Sequence, residues 1–370
     1  MKRTWEQVKL TEICSPKQWR TISMNNLKKS GYPVYGANGK IGFYNDYNHE
    51  QPTILITCRG ATCGTINICE PFSYVTGNAM SLDNLNENRV NLKYLYYCLG
   101  NFGLQNIITG TAQPQITRQS LDYVSLPLPS LQEQKRIAAI LDKADAIRRK
   151  RQQAIQLADE FLRSVFLDMF GDPVTNPKGW EVKSLGENLD FLTSGSRGWA
   201  KYYSNEGEKF LRIQNIGKNK LFKNDMAFVK PPNSAEAKRT KVKSGDILIS
   251  ITADLGRTAV VPDNFGTAYI NQHLAIIRVK NLNSIYLSEY LASQGGQVQI
   301  QKLNRQGVKA GLNFDDIKSL KILIPPLDLQ KKYEQIWLNR YKFKENYDQL
   351  TKKSGEIFNS LTQRAFRGEL

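Results

Sequence analysis

Apolar residues recur at helical spacing over two long stretches of the chain. One runs LPLPSLQEQKRIAAILDKADAI from Leu126 and the other KILIPPLDLQKKYEQIW from Lys321. Pro129 matches Pro325, Gln134 matches Gln330, Ile140 matches Ile336, Glu160 matches Glu356 and Phe170 matches Phe366, always 196 residues apart. Loops drift in length, so a register kept without insertion or deletion points to helices under a shared packing constraint. Heptad spacing selects Ile140, Ile147, Ala154 and Phe161 in the first copy, and Ile336, Phe343, Leu350 and Ile357 in the second. Companion series run Ala144, Arg151, Ala158, Val165 and Arg340, Tyr347, Ser354, Leu361. This is a coiled-coil pattern whose seam is diluted by Ala, Arg and Ser. Pro127, Pro129, Pro325 and Pro326 precede the helices, and Gly171 with Pro173 ends the first, since proline cannot continue a helix. Each helix is expected to hold roughly 37 residues and to extend about 55 Å.

The repeat continues less regularly ahead of each helix. Trp5-Glu6 is echoed by Trp180-Glu181, and Ile54-Leu55-Ile56-Thr57 by Ile247-Leu248-Ile249-Ser250. Each apolar run leads into a glycine-punctuated turn and a further short strand. Asn91-Leu92-Lys93-Tyr94 then parallels Ser284-Ile285-Tyr286 as the start of a short helix. Strands alternating with turn signals predict an α+β class with short, mixed strands. The expected order is a globular module over residues 1–128, a long helix over 129–172, a second module over 173–325 and a second long helix over 326–370.

Charge narrows the partner. Lys and Arg total 51 against 34 acidic residues, a formal net charge of +17, which is the footprint of a protein that meets a polyanion. No run approaches the roughly 20 apolar residues of a membrane span, and MKRTWEQVKL has no apolar signal core. Five cysteines (Cys14, Cys58, Cys63, Cys69 and Cys98) all fall in the first module. An odd number without an export signal predicts reduced, partly buried thiols and a cytoplasmic protein.

The motifs of a self-contained enzyme are missing. Adenine methylation would need a glycine-rich cofactor loop and an Asn-Pro-Pro-aromatic motif, yet the sole Asn-Pro, Asn176-Pro177, is followed by Lys178-Gly179. Gly36, Gly39 and Gly42 lack dinucleotide-binding spacing, and Gly39-Lys40 is not followed by Ser or Thr as a phosphate loop requires. Pro262-Asp263 has no Glu-x-Lys downstream. His49 and His273 lie in different modules and the cysteines lack paired C-x-x-C spacing, which disfavours a metal centre or a catalytic triad.

With these pieces in place, the chain resembles the specificity subunit of a type I restriction-modification system. The runs that carry the resemblance are YPVYGANGKIGFY, ILITCRGATCGTI, PLPSLQEQKRIAAILDKAD, the FGDP…NPKGW linker and the terminal QRAFRGEL, and they span essentially the whole chain. The resemblance implies a non-catalytic subunit with two target recognition domains, each reading one half of a bipartite, asymmetric site in double-stranded DNA. It implies that the helices pair as an antiparallel coiled coil, set the gap and dock two methyltransferase subunits, with two restriction subunits joining the full complex. S-adenosylmethionine, ATP and Mg would then be bound by those partners and no cofactor by this chain. Two other readings remain open at this stage: a coiled-coil nucleic-acid-binding adaptor, and a self-contained DNA-modifying enzyme.

Candidate DNA contacts follow from residue chemistry, with Arg suited to guanine edges, Asn and Gln to adenine, and Lys to phosphate. In the first module these are Lys17, Gln18, Arg20, Tyr35, Asn38, Lys40 and Arg59. In the second they are Arg197, Trp199, Lys201 and Tyr202 in TSGSRGWAKYY, and Arg212, Gln214, Asn215 and Lys218 in FLRIQNIGKNK. Trp199 and Tyr35 could equally be core aromatics, and Arg212 a structural ion-pair partner. Phe161, Phe166 and Phe170 on the first helix, with Phe358 and Phe366 on the second, are either end packing or a partner dock.

Overall fold

The computed structural model describes residues 5–37, 39–110, 113–304 and 311–370, with side chains 344–346 left out. Two long helices, Leu131–Phe170 and Leu327–Phe366, hold 40 residues each and keep the 196-residue offset at both ends. The chain divides into two compact units, and both dividing lines cut through these helices. One unit comprises Met1–Ala154 with Tyr347–Leu370, the other Ile155–Asn346.

Among its described residues the first unit carries three sheets. Strand Glu6–Lys9 pairs antiparallel with Ser125–Leu128, which brings the start of the module to the root of the central helix. A four-stranded sheet follows the spatial order Ser15–Gln18, Ala79–Asp83, Ile54–Thr57, Ile66–Ile68, and a three-stranded sheet the order Gly39–Tyr44, Tyr32–Gly36, Tyr74–Val75. The ILIT strand is buried at all four positions, as its unbroken apolar run requires of a strand covered on both faces. Its core joins Ile54, Ile56 and Met80 to Tyr94 and Leu99 of helix Leu92–Phe102, and to Ile137, Leu141 and Ala365 of the long helices.

The second unit repeats this plan by itself. Glu181–Ser184 pairs with Lys321–Ile324, and a four-stranded sheet runs Leu189–Ser194, Leu274–Val279, Ile247–Ser250, Thr258–Val260. A second four-stranded sheet runs Tyr203–Ser204, Ala227–Val229, Glu208–Leu211, Ala268–Ile270. In each unit one strand pair is parallel, Val34 with Tyr74 and Lys209 with Ala268. The core here gathers Ile247, Ile249 and Ile277 with Tyr286, Tyr290 and the long-helix residues Phe166, Phe170 and Tyr333.

A glutamine repeated at the 196-residue offset fastens each module to its helix. Gln134 is fully buried, donates to Pro129 O (2.8 Å) and Arg89 O (2.9 Å), and accepts from Asn91 N (2.8 Å). Gln330 donates to Pro325 O (2.7 Å) and accepts from Asn283 N (2.8 Å). The Pro129 and Pro325 carbonyls lie one residue ahead of the first ladder acceptors, Ser130 O and Pro326 O, so no backbone N–H of the helix reaches them, and Asn91 and Asn283 are themselves helix N-caps. Each glutamine therefore closes two helix starts at once.

The long helices turn a different face inward from the one the apolar heptads select. Ile147, Phe161, Phe343, Leu350 and Ile357 are all exposed, whereas Ser354 of the companion series is buried. Within the first unit, Arg151 donates to Leu350 O (2.9 Å) and to the Ser354 hydroxyl. Within the second, Arg340 pairs with Asp159. Of the two expected heptad series, the apolar one is therefore largely exposed, while the companion series with Arg151, Arg340 and Ser354 turns inward and supplies the bonds from helix to helix within each unit.

Candidate nucleic-acid interface

Exposed cations on the first module sit where the edge of its four-stranded sheet is braced from behind. Lys17, Gln18 and Arg20 are exposed on or just after strand Ser15–Gln18. The Lys17 ammonium lies 3.5 Å from the Trp19 ring centroid, and Gln18 donates to Gly77 O (3.1 Å) and Cys58 Sγ (2.9 Å). Trp19 Nε1 donates to Ser81 Oγ and to Asp83 Oδ2, both at 3.1 Å. Asp83 also meets His49 Nε2 at 3.0 Å. Burial pushes the Asp83 carboxyl up, but hydrogen bonds from His49, Ser81 and Trp19 outweigh it and hold the group below its ordinary value. A charge-assisted bracket therefore fixes the strand that presents Lys17 and Gln18.

Other candidates on this module divide by burial. Lys40 is exposed, 3.5 Å from Glu70, and Arg59 is exposed beside the bridge to Gln115. Tyr35 is buried in a small core with Leu55 and Val75, its hydroxyl accepting from Glu70 N at 3.3 Å, so it packs the module. Asn38 lies outside the described residues.

On the second module, Arg197, Lys201, Gln214 and Lys218 are exposed and Tyr202 is half-buried. Trp199 is a correction: it is 3% exposed, with ring centroids of Phe210 and Tyr269 at 5.1 Å. Its surface is spent on the core, which the flanking glycines and cations in the sequence concealed. Asn215 is likewise fully buried. Its side chain accepts from Arg212 N (3.0 Å) and donates to Asn224 O (3.1 Å), so it shapes the loop instead of facing outward. Arg212 is half-buried and donates to Asp225 O at 2.5 Å.

The aromatic candidates for partner docking also separate. Phe161 is 60% exposed. Phe166 and Phe170 are 2% and 1% exposed, wedged against Tyr286 and Tyr333, and are corrected to end packing. Phe358 and Phe366 are half-buried against Tyr97 and Tyr94, so most of their value is spent joining helix to module. Burial of an aromatic on a helix end depends on which module folds over it, and periodicity carries no trace of that.

Sequence reasoning missed Asn219 and Glu289, which meet at 2.5 Å, and the His49–Asp83–Trp19 bracket. Their partners are distant in sequence and no motif joins them. All five cysteines are free and buried; burial pushes the Cys14 thiol up to about 12, which leaves it an unreactive thiol. Among the described residues, no cluster of His, Cys, Asp and Glu suits a metal ion, and no helix is long and apolar enough to cross a membrane.

Comparison with known proteins places this doubled arrangement. The model of the type I restriction modification DNA specificity domain matches twice, over residues 2–157 and 177–341. A putative type I restriction enzyme specificity subunit, MjaX, from Methanocaldococcus jannaschii is 25% identical, covering 88% of this chain and 84% of that protein. The EcoBI specificity subunit from Escherichia coli is 21% identical over 92% of this chain and 75% of its own length. The crystal structure of the S subunit of a type I restriction-modification system from M. genitalium shares the fold with a TM-score of 0.67 at 16% identity, over 98% of this chain and 96% of the other.

Proposed function

Since the chain belongs to the type I restriction modification DNA specificity family, we propose that its two modules are target recognition domains, each reading one half of a bipartite, asymmetric DNA site. Catalysis lies outside this chain, in methyltransferase and restriction subunits. The observation that carries the reading is the internal repeat of a whole unit, sheet order included. Two like modules with unlike surface residues suit a site whose halves are equivalent in geometry and different in sequence.

In this reading the long helices pair antiparallel as a coiled coil and act as the spacer. A 40-residue helix reaches about 60 Å, more than the roughly 34 Å of one DNA turn, which leaves room for an unread gap. Lys17, Gln18, Arg20, Lys40 and Arg59 would contact one half-site, and Arg197, Lys201, Tyr202, Arg212, Gln214 and Lys218 the other. The exposed apolar positions of the helices, Phe161 among them, would dock two methyltransferase subunits. Those partners would bring S-adenosylmethionine, and the restriction subunits ATP and Mg.

Exchange of residues 173–325 for those of a relative tests the proposal. With a methyltransferase partner present, the methylated sequence should change in one half and stay the same in the other. A change in both halves would contradict modular reading.

A further inference from the structure

The second module carries a segment that the first lacks. In the first, strand Tyr32–Gly36 turns straight back into Gly39–Tyr44, with Gly36 paired to Gly39. In the second, the chain leaves strand Glu208–Leu211 and returns only at Ala227–Val229. Part of the intervening loop folds over the free edge of the four-stranded sheet. Thr258 on that edge donates its N–H to Gly217 O (2.7 Å) and its carbonyl accepts from Lys220 N (3.1 Å). Its hydroxyl accepts from Asn219 N (3.2 Å). At the equivalent place in the first module, Ile66 borders a cavity of about 560 Å³ that is also lined by Tyr97, Leu104 and Phe358.

One side-chain contact holds the turn from below. Asn219 sits in the left-handed region at φ 48°, which Asn tolerates better than most residues. Its amide donates to Glu289 Oε2 at 2.5 Å, while its carbonyl oxygen is buried without a partner. The Glu289 contact is therefore what holds this side chain. Glu289 lies on helix Ser284–Ala292, which is tied to the C-terminal helix through Asn283, donor to Gln330 and Glu334.

The internal repeat shows what Glu289 is for. Asn91 and Asn283 match as N-caps, and Tyr94 and Tyr286 match as hydroxyl donors to Pro127 O and Leu323 O. The same offset of 192 places Tyr97 opposite Glu289. Tyr97 donates to Asp142 on the central helix at 2.6 Å, so this fold packs the position well without an acid. The acid stands where the extra turn needs an acceptor, and it also meets the Tyr333 hydroxyl of the C-terminal helix.

We propose that Asn219 and Glu289 form a latch that positions the turn Gly217–Lys220 as a phosphate-contacting element of the second module. The proposal rests on the DNA-reading function above. Lys218 is exposed on this turn, and the Lys220 ammonium lies 5.0 Å from the Phe222 ring centroid. Both are cations on a segment whose backbone is tied to the sheet edge. A fixed lysine pays less conformational entropy on meeting a phosphate than one on a loose loop.

The test uses the purified full chain and a pool of random-sequence DNA duplexes. Asn219→Gly removes the latch without backbone strain, Glu289→Ala removes its acceptor, and Glu289→Gln keeps an acceptor for the amide. In Asn219→Gly and Glu289→Ala, the Lys220 amide should exchange with deuterium about ten-fold faster. The slope of log affinity against log salt should shrink by about one unit, while Glu289→Gln should behave as wild type in both measurements. Unchanged amide exchange would overturn the latch. Faster exchange with an unchanged salt slope would overturn its role at the DNA surface. Failure of the wild type to retain duplex would overturn the phosphate role together with the DNA reading, and the exchange data would still show whether the latch exists.

Discussion

Replacing Gln134 by Ala tests whether each module is fastened to its helix by one buried amide. The side chain makes three hydrogen bonds between 2.8 and 2.9 Å, to Pro129 O, Arg89 O and Asn91 N. Alanine leaves the Asn91 N–H without a partner at a helix start, and removes a donor from two carbonyls. A buried donor left unsatisfied costs about 1–3 kcal/mol, and loss of each neutral bond about 1 kcal/mol. The site is closed by packing, so water reaches it poorly, and a total of about 3 kcal/mol is expected. Urea unfolding followed by tryptophan fluorescence and by amide exchange would measure it. Exchange should rise at Asn91 and Leu92 and in strands Glu6–Lys9 and Ser125–Leu128. The second unit, held by its own Gln330, should keep wild-type protection. A loss below about 0.5 kcal/mol, the range of ordinary surface changes, would refute the fastening role.

Two further outcomes are expected. Phe161→Asp, at a position 60% exposed, should change stability by less than about 0.5 kcal/mol yet weaken co-elution with a methyltransferase subunit on gel filtration; undiminished assembly would remove Phe161 from the dock. Burial raises the Asp83 carboxyl, but its hydrogen bonds win and hold it below its ordinary value, so its stabilisation is present above the unfolded pKa of about 3.9 and is lost as pH falls through the folded value. Acid unfolding of the first module should therefore be less steep in Asp83→Asn over that window, and an unchanged profile would show that the bracket around Trp19 is not electrostatic.

Much of the architecture was legible because it is local or repeated. Prolines and glycines set the bounds of the long helices within a few residues, and the 196-residue register linked Gln134 to Gln330 before either had a partner. The ILIT and ILIS runs matched as apolar strands in the sequence, and the structure buries both at every position. The functional reading was carried by the doubled motifs and the basic charge, neither of which needs coordinates. Heptad spacing named both series of the long helices but could not decide that the apolar one is left exposed, whereas Arg151, Arg340 and Ser354 of the companion series turn inward because each finds a partner on the other helix.

The sequence by itself determined the class, the doubling and the family, since these rest on spacing along the chain and on residue type. Tertiary structure decided which candidates face outward. Trp199, Phe166 and Phe170 resemble surface recognition residues in their local context, yet each packs against rings remote in sequence, and Asn215 is buried while bonded within its own loop. Tertiary structure also decided that, among the described residues, the second module closes its sheet edge with a turn, held by Asn219 on Glu289. That contact spans 70 residues. Burial and long-range hydrogen bonding are properties of pairs brought together by the fold, and no single segment encodes its own partner.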